Sequence, residues 1–188
     1  VKGFKSSNER VPHGVLSDEE MDLIYNYEGK GYLNNVRDIA IILYHGCFRF
    51  IELDEQLRIL AERGYSELEI REVHNKYYWD IQQAKKCSPK NFPLSDRLLK
   101  MYKDEKFPHF ISGDKSRKYL RELLQELNIT IPVKFGTHTF RRSFCTSQWN
   151  KGASARDIMS FSGHETEAIL KVYVQKENRN TDNKISLD

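Results

Sequence analysis

Two arginines, two histidines and a tyrosine stand in a pattern able to bind an anion and move protons. In Thr137-His138-Thr139-Phe140-Arg141-Arg142, His138 and Arg141 are three residues apart, so a helix there projects both from one face and leaves Phe140 and Phe144 for the buried side. Phe161-Ser162-Gly163-His164 follows, and Tyr173 comes nine residues after His164. Arg49 stands much earlier, with Glu52 three residues on. Taken singly, each has a plainer role: a packing or capping histidine, a half-buried tyrosine, an Arg49–Glu52 ion pair, a solvated turn at Lys85 and Lys86. Their order as a set is what points to chemistry. Other chemistries lack their motifs. The chain has no Gly-rich phosphate loop ending in Lys-Ser/Thr and no His-Glu-x-x-His. Its acids fall in no spacing that suggests paired metal ligands, so chemistry on a polyanion is expected to need no metal.

The positioning elements can be read from pattern. Ser17-Asp18-Glu19-Glu20 is a capping box with acids in the first turn. It opens a helix with Met21, Leu23 and Ile24 in its stripe, which Gly29 and Gly31 are expected to end. A second helix is expected over Leu33–His45, stopped by Gly46, and a third over Arg49–Arg63, stopped by Gly64. Tyr77–Gln83 is aromatic and β-rich, with Leu68–His74 as its partner and Phe92–Leu94 as a short third strand. Cys87-Ser88-Pro89-Lys90-Asn91 supplies turn chemistry. Helices resume over Ser95–Lys103 and Lys115–Leu127, with Asn128 as C-cap, then from Thr137 to Gly152 and from Ser154 to Phe161. Thr166 caps a last helix, and a polar tail is expected from Gln175 on. The fold class is therefore mainly α with a small antiparallel β-sheet.

The 188 residues suit one generous domain or two small ones. Aromatic residues at 12% exclude a wholly disordered chain despite a mean hydropathy of −0.68. The longest apolar run, Ile39–Tyr44, falls far short of the ~20 residues of a membrane-crossing helix. Val1–Arg10 is polar, so no signal peptide is read. Cys47, Cys87 and Cys145 have no paired spacing, which argues against a disulfide framework or a zinc site and for a reducing interior such as a cytoplasm. The net charge of +3 conceals an asymmetry. Residues 17–80 hold 7 Lys+Arg against 14 Asp+Glu, whereas residues 85–151 hold 15 against 6. A basic half in a balanced chain is the footprint of a polyanion partner.

Arg49-x-x-Glu52, a lysine in a β-turn, His138-x-x-Arg141, Gly163-His164 and then Tyr173 together resemble the catalytic domain of the tyrosine recombinases, the phage-integrase family. The resemblance runs from about Leu16 to Val174 and is most specific from His138 to Tyr173. The interval between Arg49 and the turn lysine is longer than the family pattern, with extra residues around Asp54 to Ser66. Lys85 best fits the strand-then-lysine arrangement, with Lys86 as its rival.

The resemblance implies the DNA breaking-and-rejoining fold and a set of roles. Arg49 and Arg141 would bind the non-bridging phosphate oxygens through planar forks. Tyr173 would be the nucleophile, His138 the base, His164 a hydrogen-bond donor to the phosphate and Lys85 the acid for the departing 5′ oxygen. Glu52 would support Arg49. No cofactor is expected. The partner would be double-stranded DNA, with Lys86, Lys90, Arg117, Lys118, Arg121, Lys134, Arg142 and Lys151 as candidate backbone contacts. Residues 1–15 would be a linker from a missing N-terminal DNA-binding domain, residues 16–174 the catalytic domain and residues 175–188 a tail that docks on a neighbouring copy in a homotetramer. The implied setting is the cytoplasm of a bacterium, from a phage or mobile element. The alternatives are a non-catalytic DNA-binding relative, a type IB topoisomerase-like enzyme, which would favour lysine where His138 stands, and a helical interaction domain.

Overall fold

The computed structural model describes residues 14–82 and 89–178, with the side chains of Gln82, Pro89, Lys90, Val172, Tyr173 and Gln175–Asn178 outside the description. Helix α1 (Asp18–Tyr25) opens on the capping box: Ser17 Oγ accepts from Glu20 N–H, and Glu20 returns a carboxylate oxygen to Ser17 N–H at 2.8 Å. It ends at Asn26, ahead of the expected glycine stop. Gly31 instead opens α2 (Gly31–His45). The carboxamide of Asn34 explains this, because it bonds both N–H and C=O of Gly29 and so turns the chain into α2.

Helix α2 is the central element. Val36 and Ile39–Leu43 are fully buried, and α2 packs on α1, α5 (Gly113–Glu126) and α6 (His138–Asn150). Covering a helix from several sides removes its polar face, which is why this segment reads as a near-continuous apolar run. Helix α3 (Phe50–Arg63) starts one residue later than expected, leaving Arg49 as its extended N-cap. The antiparallel sheet has the order β1 (Ile70–Val73), β2 (Lys76–Gln82), β3 (Pro89–Pro93). The third strand begins earlier than the Phe92–Leu94 reading.

The sheet buries its apolar face against the segment before α3. Phe48, Trp79 and Phe92 are all buried, with Phe48 edge-on to Trp79 at 5.3 Å and to Phe92 at 4.4 Å. Trp79 Nε1–H donates to the buried Gln56 of α3 at 3.2 Å. Such aromatic pairs add about 0.5–1.5 kcal/mol beyond area burial. They fix the backbone immediately before Arg49.

The chain continues through α4 (Asp96–Lys103), α5, α6, α7 (Ala155–Ser162) and α8 (Glu167–Asn178). Asn128 stands beyond α5 with φ 53, the left-handed terminator its position suggests. Helix α8 continues past Gln175, where a polar tail was expected. A second, smaller core of Cys47, Cys145, Ile158, Leu170 and Val174 joins α6, α7 and α8 to the chain between α2 and α3. Among the described residues, no helix is long and apolar enough to cross a membrane, and no group of three His, Cys, Asp or Glu could hold a metal ion.

Candidate active site

Arg141 lies at the junction of three segments. It is 1% exposed. Its Nη1 donates to the carbonyl of Cys47 at 2.6 Å, and its Nη2 donates to the carbonyl of Ser162. One guanidinium therefore fastens α6 to the turn before Arg49 and to the turn before His164. Gly163, in the left-handed region at φ 72, ends α7 there and sends its N–H back to Met159 O at 2.7 Å. Among the described residues, the buried Nε–H of Arg141 has no partner. An unpaired donor on a buried cation is costly and calls for an explanation, of which a ligand oxygen is one.

Arg49 is a quarter exposed, and its Nη1 pairs with Glu52 at 2.8 Å. The same carboxylate accepts from Arg49 N–H at 2.8 Å, so the buried Glu52 both caps α3 and aims the guanidinium. His164 is half-buried. Its Nδ1 lies 2.6 Å from Ser162 Oγ, and its ring also hydrogen-bonds Cys145. His138 is half-buried in the first turn of α6, one turn before Arg141. Tyr173 lies within α8, between Leu170 and Val174, whose buried side chains join the Cys47–Cys145 core. Its own side chain is outside the described residues, as are Lys85 and Lys86.

The backbone of three site-bearing segments thus converges on Arg141, and His164 and Arg141 both act on Cys145. The Cys145 thiol is held well below its ordinary range, first by the hydrogen bond with Cys47 and then by His164 and Arg141, against the opposing effect of burial. An open depression of about 460 Å³ borders His164 and is lined by Arg156, Met159, Ser160 and Glu167. Arg156, a surface cation of α7 beside this depression, was not singled out in the sequence.

The expected backbone cations divide. Arg142 is buried rather than on the surface, and one amine lies 3.5 Å from Thr139 Oγ1 in the preceding turn of α6. Arg117 pairs with Asp114, Lys118 approaches Glu122 at 3.9 Å, and Lys151 pairs with Asp18 at 2.7 Å. Arg121 donates to Phe135 O at 3.2 Å. Lys134 is exposed in a left-handed conformation at φ 55, and Lys90 lies in β3. The sequence reading also missed Cys47 and Cys145. Their signal was position: Cys47 is two residues before Arg49, and Cys145 is one helical turn beyond Arg141.

The model of the phage integrase family matches residues 64–180, a span holding His138, Arg141, His164 and Tyr173. Among solved structures, the XerH site-specific recombinase bound to palindromic difH substrate, in a post-cleavage complex, superposes with a TM-score of 0.66 at 14% identity. That match covers 92% of this chain and 52% of XerH. The integrase from mycobacterium phage Brujita gives 0.59 at 14%, covering 95% of this chain and 61% of that one. XerA recombinase gives 0.60 at 15%, covering 100% and 68%. At these identities the likeness is one of fold. The chain spans about half the length of XerH. No curated protein matches it.

Proposed function

The chain belongs to the phage integrase family, and from that premise we propose that it is the strand-cleaving unit of a site-specific DNA recombinase. Tyr173 attacks a phosphodiester phosphorus, a 3′-phosphotyrosyl bond forms, and the 5′ oxygen leaves. A phenol has an ordinary pKa near 10, so its proton must go as the bond forms, and His138 takes it. Arg49 and Arg141 hold the non-bridging oxygens, where charge develops. His164 donates to the same phosphate, and Lys85 or Lys86 protonates the leaving oxygen. Reversal by another 5′-hydroxyl rejoins the strand. The phosphotyrosyl bond retains the energy of the bond broken, so these steps call on neither ATP nor a metal.

The observation that carries this reading is the seat of Arg141. A charged fork held by the carbonyls of Cys47 and Ser162 ties the backbone of the Arg49 segment, the His138 helix and the His164 turn into one unit. Arg141 is buried, so engaging a phosphate requires that it be uncovered, with Nε and the second hydrogens of Nη1 and Nη2 left to donate to the oxygens. In solved complexes, XerH is bound to its difH substrate and the Tn1549 transposon integrase to a circular intermediate DNA. Double-stranded DNA is accordingly the proposed partner here, in a bacterial cytoplasm, with Lys90, Arg117, Lys118, Arg121, Lys134 and Lys151 along its backbone. Residues 175–188, with Ile185 and Leu187, are proposed to seat on a neighbouring copy in a tetramer.

The test is covalent capture. The chain is incubated with a library of nicked duplexes of random sequence, where loss of the short cleaved strand traps the intermediate. Adducts resistant to SDS are isolated and their DNA sequenced. The reading expects adducts enriched in one sequence and none from Tyr173→Phe. Adducts of equal yield from that variant overturn it.

A further inference from the structure

The mechanism leaves two buried thiols unused at the centre of the site. Cys47 and Cys145 are 98 positions apart in the chain, yet their sulfurs lie 3.9 Å apart, and both residues are fully buried. Cys145 sits on α6 one turn beyond Arg141. Cys47 precedes Arg49 by two residues, and its carbonyl is the one that receives Arg141 Nη1. Cys47 Sγ also lies 3.9 Å from the carbonyl of Arg141. We propose that Cys47 and Cys145 are a modification site, a thiol pair that a hydroperoxide converts to a disulfide and a dithiol reduces, and that the disulfide form does not cleave DNA.

The chemistry balances. The thiolate of Cys145 attacks the terminal oxygen of the peroxide; an S–O bond forms, the O–O bond breaks, and an alcohol or water leaves with a proton. The Cys47 thiol then attacks the sulfenic sulfur; the S–S bond forms, the S–O bond breaks, and water leaves with the thiol proton. Two electrons pass from the thiols to the peroxide. Hydrogen bonding to Cys47 and His164, with Arg141 nearby, favours the attacking thiolate. Its approach is the His164 turn, which lies between Cys145 and the open depression.

Inhibition follows from distance. A disulfide requires sulfurs about 2.05 Å apart, so the pair must close by nearly 2 Å. Cys145 is fixed in mid-helix, so whatever part of the closure side-chain rotation does not supply falls on the 46–49 segment. Cys47 already holds a left-handed φ of 51 there, a conformation that persists only while its surroundings enforce it. Moving this segment shifts both the carbonyl under Arg141 and the backbone of Arg49. A misplacement of about 1 Å in such a site can cost about 100-fold in rate.

The activity arm rests on the recombinase reading, whereas the chemical arm does not. The chain carrying Cys87→Ser is treated with hydrogen peroxide, denatured in iodoacetamide, digested and analysed by mass spectrometry. The proposal expects a linked pair of peptides holding Cys47 and Cys145, lost on adding dithiothreitol. Both residues recovered alkylated, or Cys145 over-oxidised without a link, overturns it. In parallel, adduct formation on the enriched nicked duplex should fall about 100-fold on oxidation and return with dithiothreitol. Cys47→Ser, and separately Cys47→Ala, should keep the rate each shows before peroxide. A disulfide that leaves the rate unchanged removes the inhibitory claim. If even the reduced chain makes no adduct, the recombinase reading falls, and the peptide map alone still decides whether the disulfide forms.

Discussion

Arg141 Nη1 donates to the main-chain carbonyl of Cys47 at 2.6 Å. This bond crosses 94 positions of sequence and joins the helix of one proposed phosphate-binding arginine to the turn leading into the other. The carbonyl of Ser162 on Nη2 extends the link to the His164 turn.

Arg141→Lys should therefore do more than lose a fork. An ammonium cannot reach both carbonyls in one plane. Adduct formation should fall about 100- to 1000-fold, and stability should drop by about 1–3 kcal/mol as a buried carbonyl loses its donor. Single-turnover adduct rates and urea denaturation measure the two effects separately. A rate loss with wild-type stability would disprove the structural half of this expectation.

Gly163→Ala tests the turn. At φ 72 an added Cβ strains the backbone by about 1–2 kcal/mol. The melting temperature should fall accordingly, and the Ser162 carbonyl should be less well presented to Arg141. An unchanged melting temperature would show that the strain is relieved elsewhere.

The Trp79–Gln56 bond anchors the sheet to α3. Gln56→Leu leaves the buried indole N–H unpaired, and Trp79→Phe leaves the Gln56 oxygen so. Each should cost about 1–3 kcal/mol. The double variant, which removes both polar groups, should cost less than the sum. Additive losses in denaturant titrations would mean that the two groups do not interact.

Acid should weaken the fold in two windows. Burial, helped by Lys151, lowers the His45 pKa below its ordinary 6.5. The unfolded chain then binds the proton more readily, and stability falls as pH drops below about 6.5. Burial alone would raise Asp18, but the hydrogen-bonding partners Lys151 and Tyr44 outweigh it and lower its pKa below 3.8. Its contribution is complete above that value and is lost as pH falls through the lower folded value. Asp18 is well exposed, so this second effect should stay within about 1 kcal/mol. His45→Gln should flatten only the upper window and Asp18→Asn only the lower, as read from denaturant midpoints against pH.

Much of this was legible in sequence because local rules acted locally. The capping box at Ser17, the glycine stops at Gly46 and Gly64 and the aromatic β-run at Tyr77–Ile81 each became what their residues dictate. The ends that shifted did so through longer reach. Asn34 gripping Gly29 ended the first helix early, and packing of Val174 into the second core accompanies an α8 longer than its polar sequence suggested. The order of the site residues was legible, but their mutual support was not. Nothing local to Arg142 marks it as buried, and nothing in the spacing of Cys47 and Cys145 brings two sulfurs together, which depends on how α6 packs against the chain ahead of α3.

The central claim is that the phenol of residue 173 becomes joined to DNA. Adducts trapped on the enriched nicked duplex are digested with nuclease and protease, and the modified peptide is sequenced by tandem mass spectrometry. The account predicts a nucleotide carried through a 3′-phosphate on Tyr173. The same group found on another side chain, or on several tyrosines alike, contradicts it.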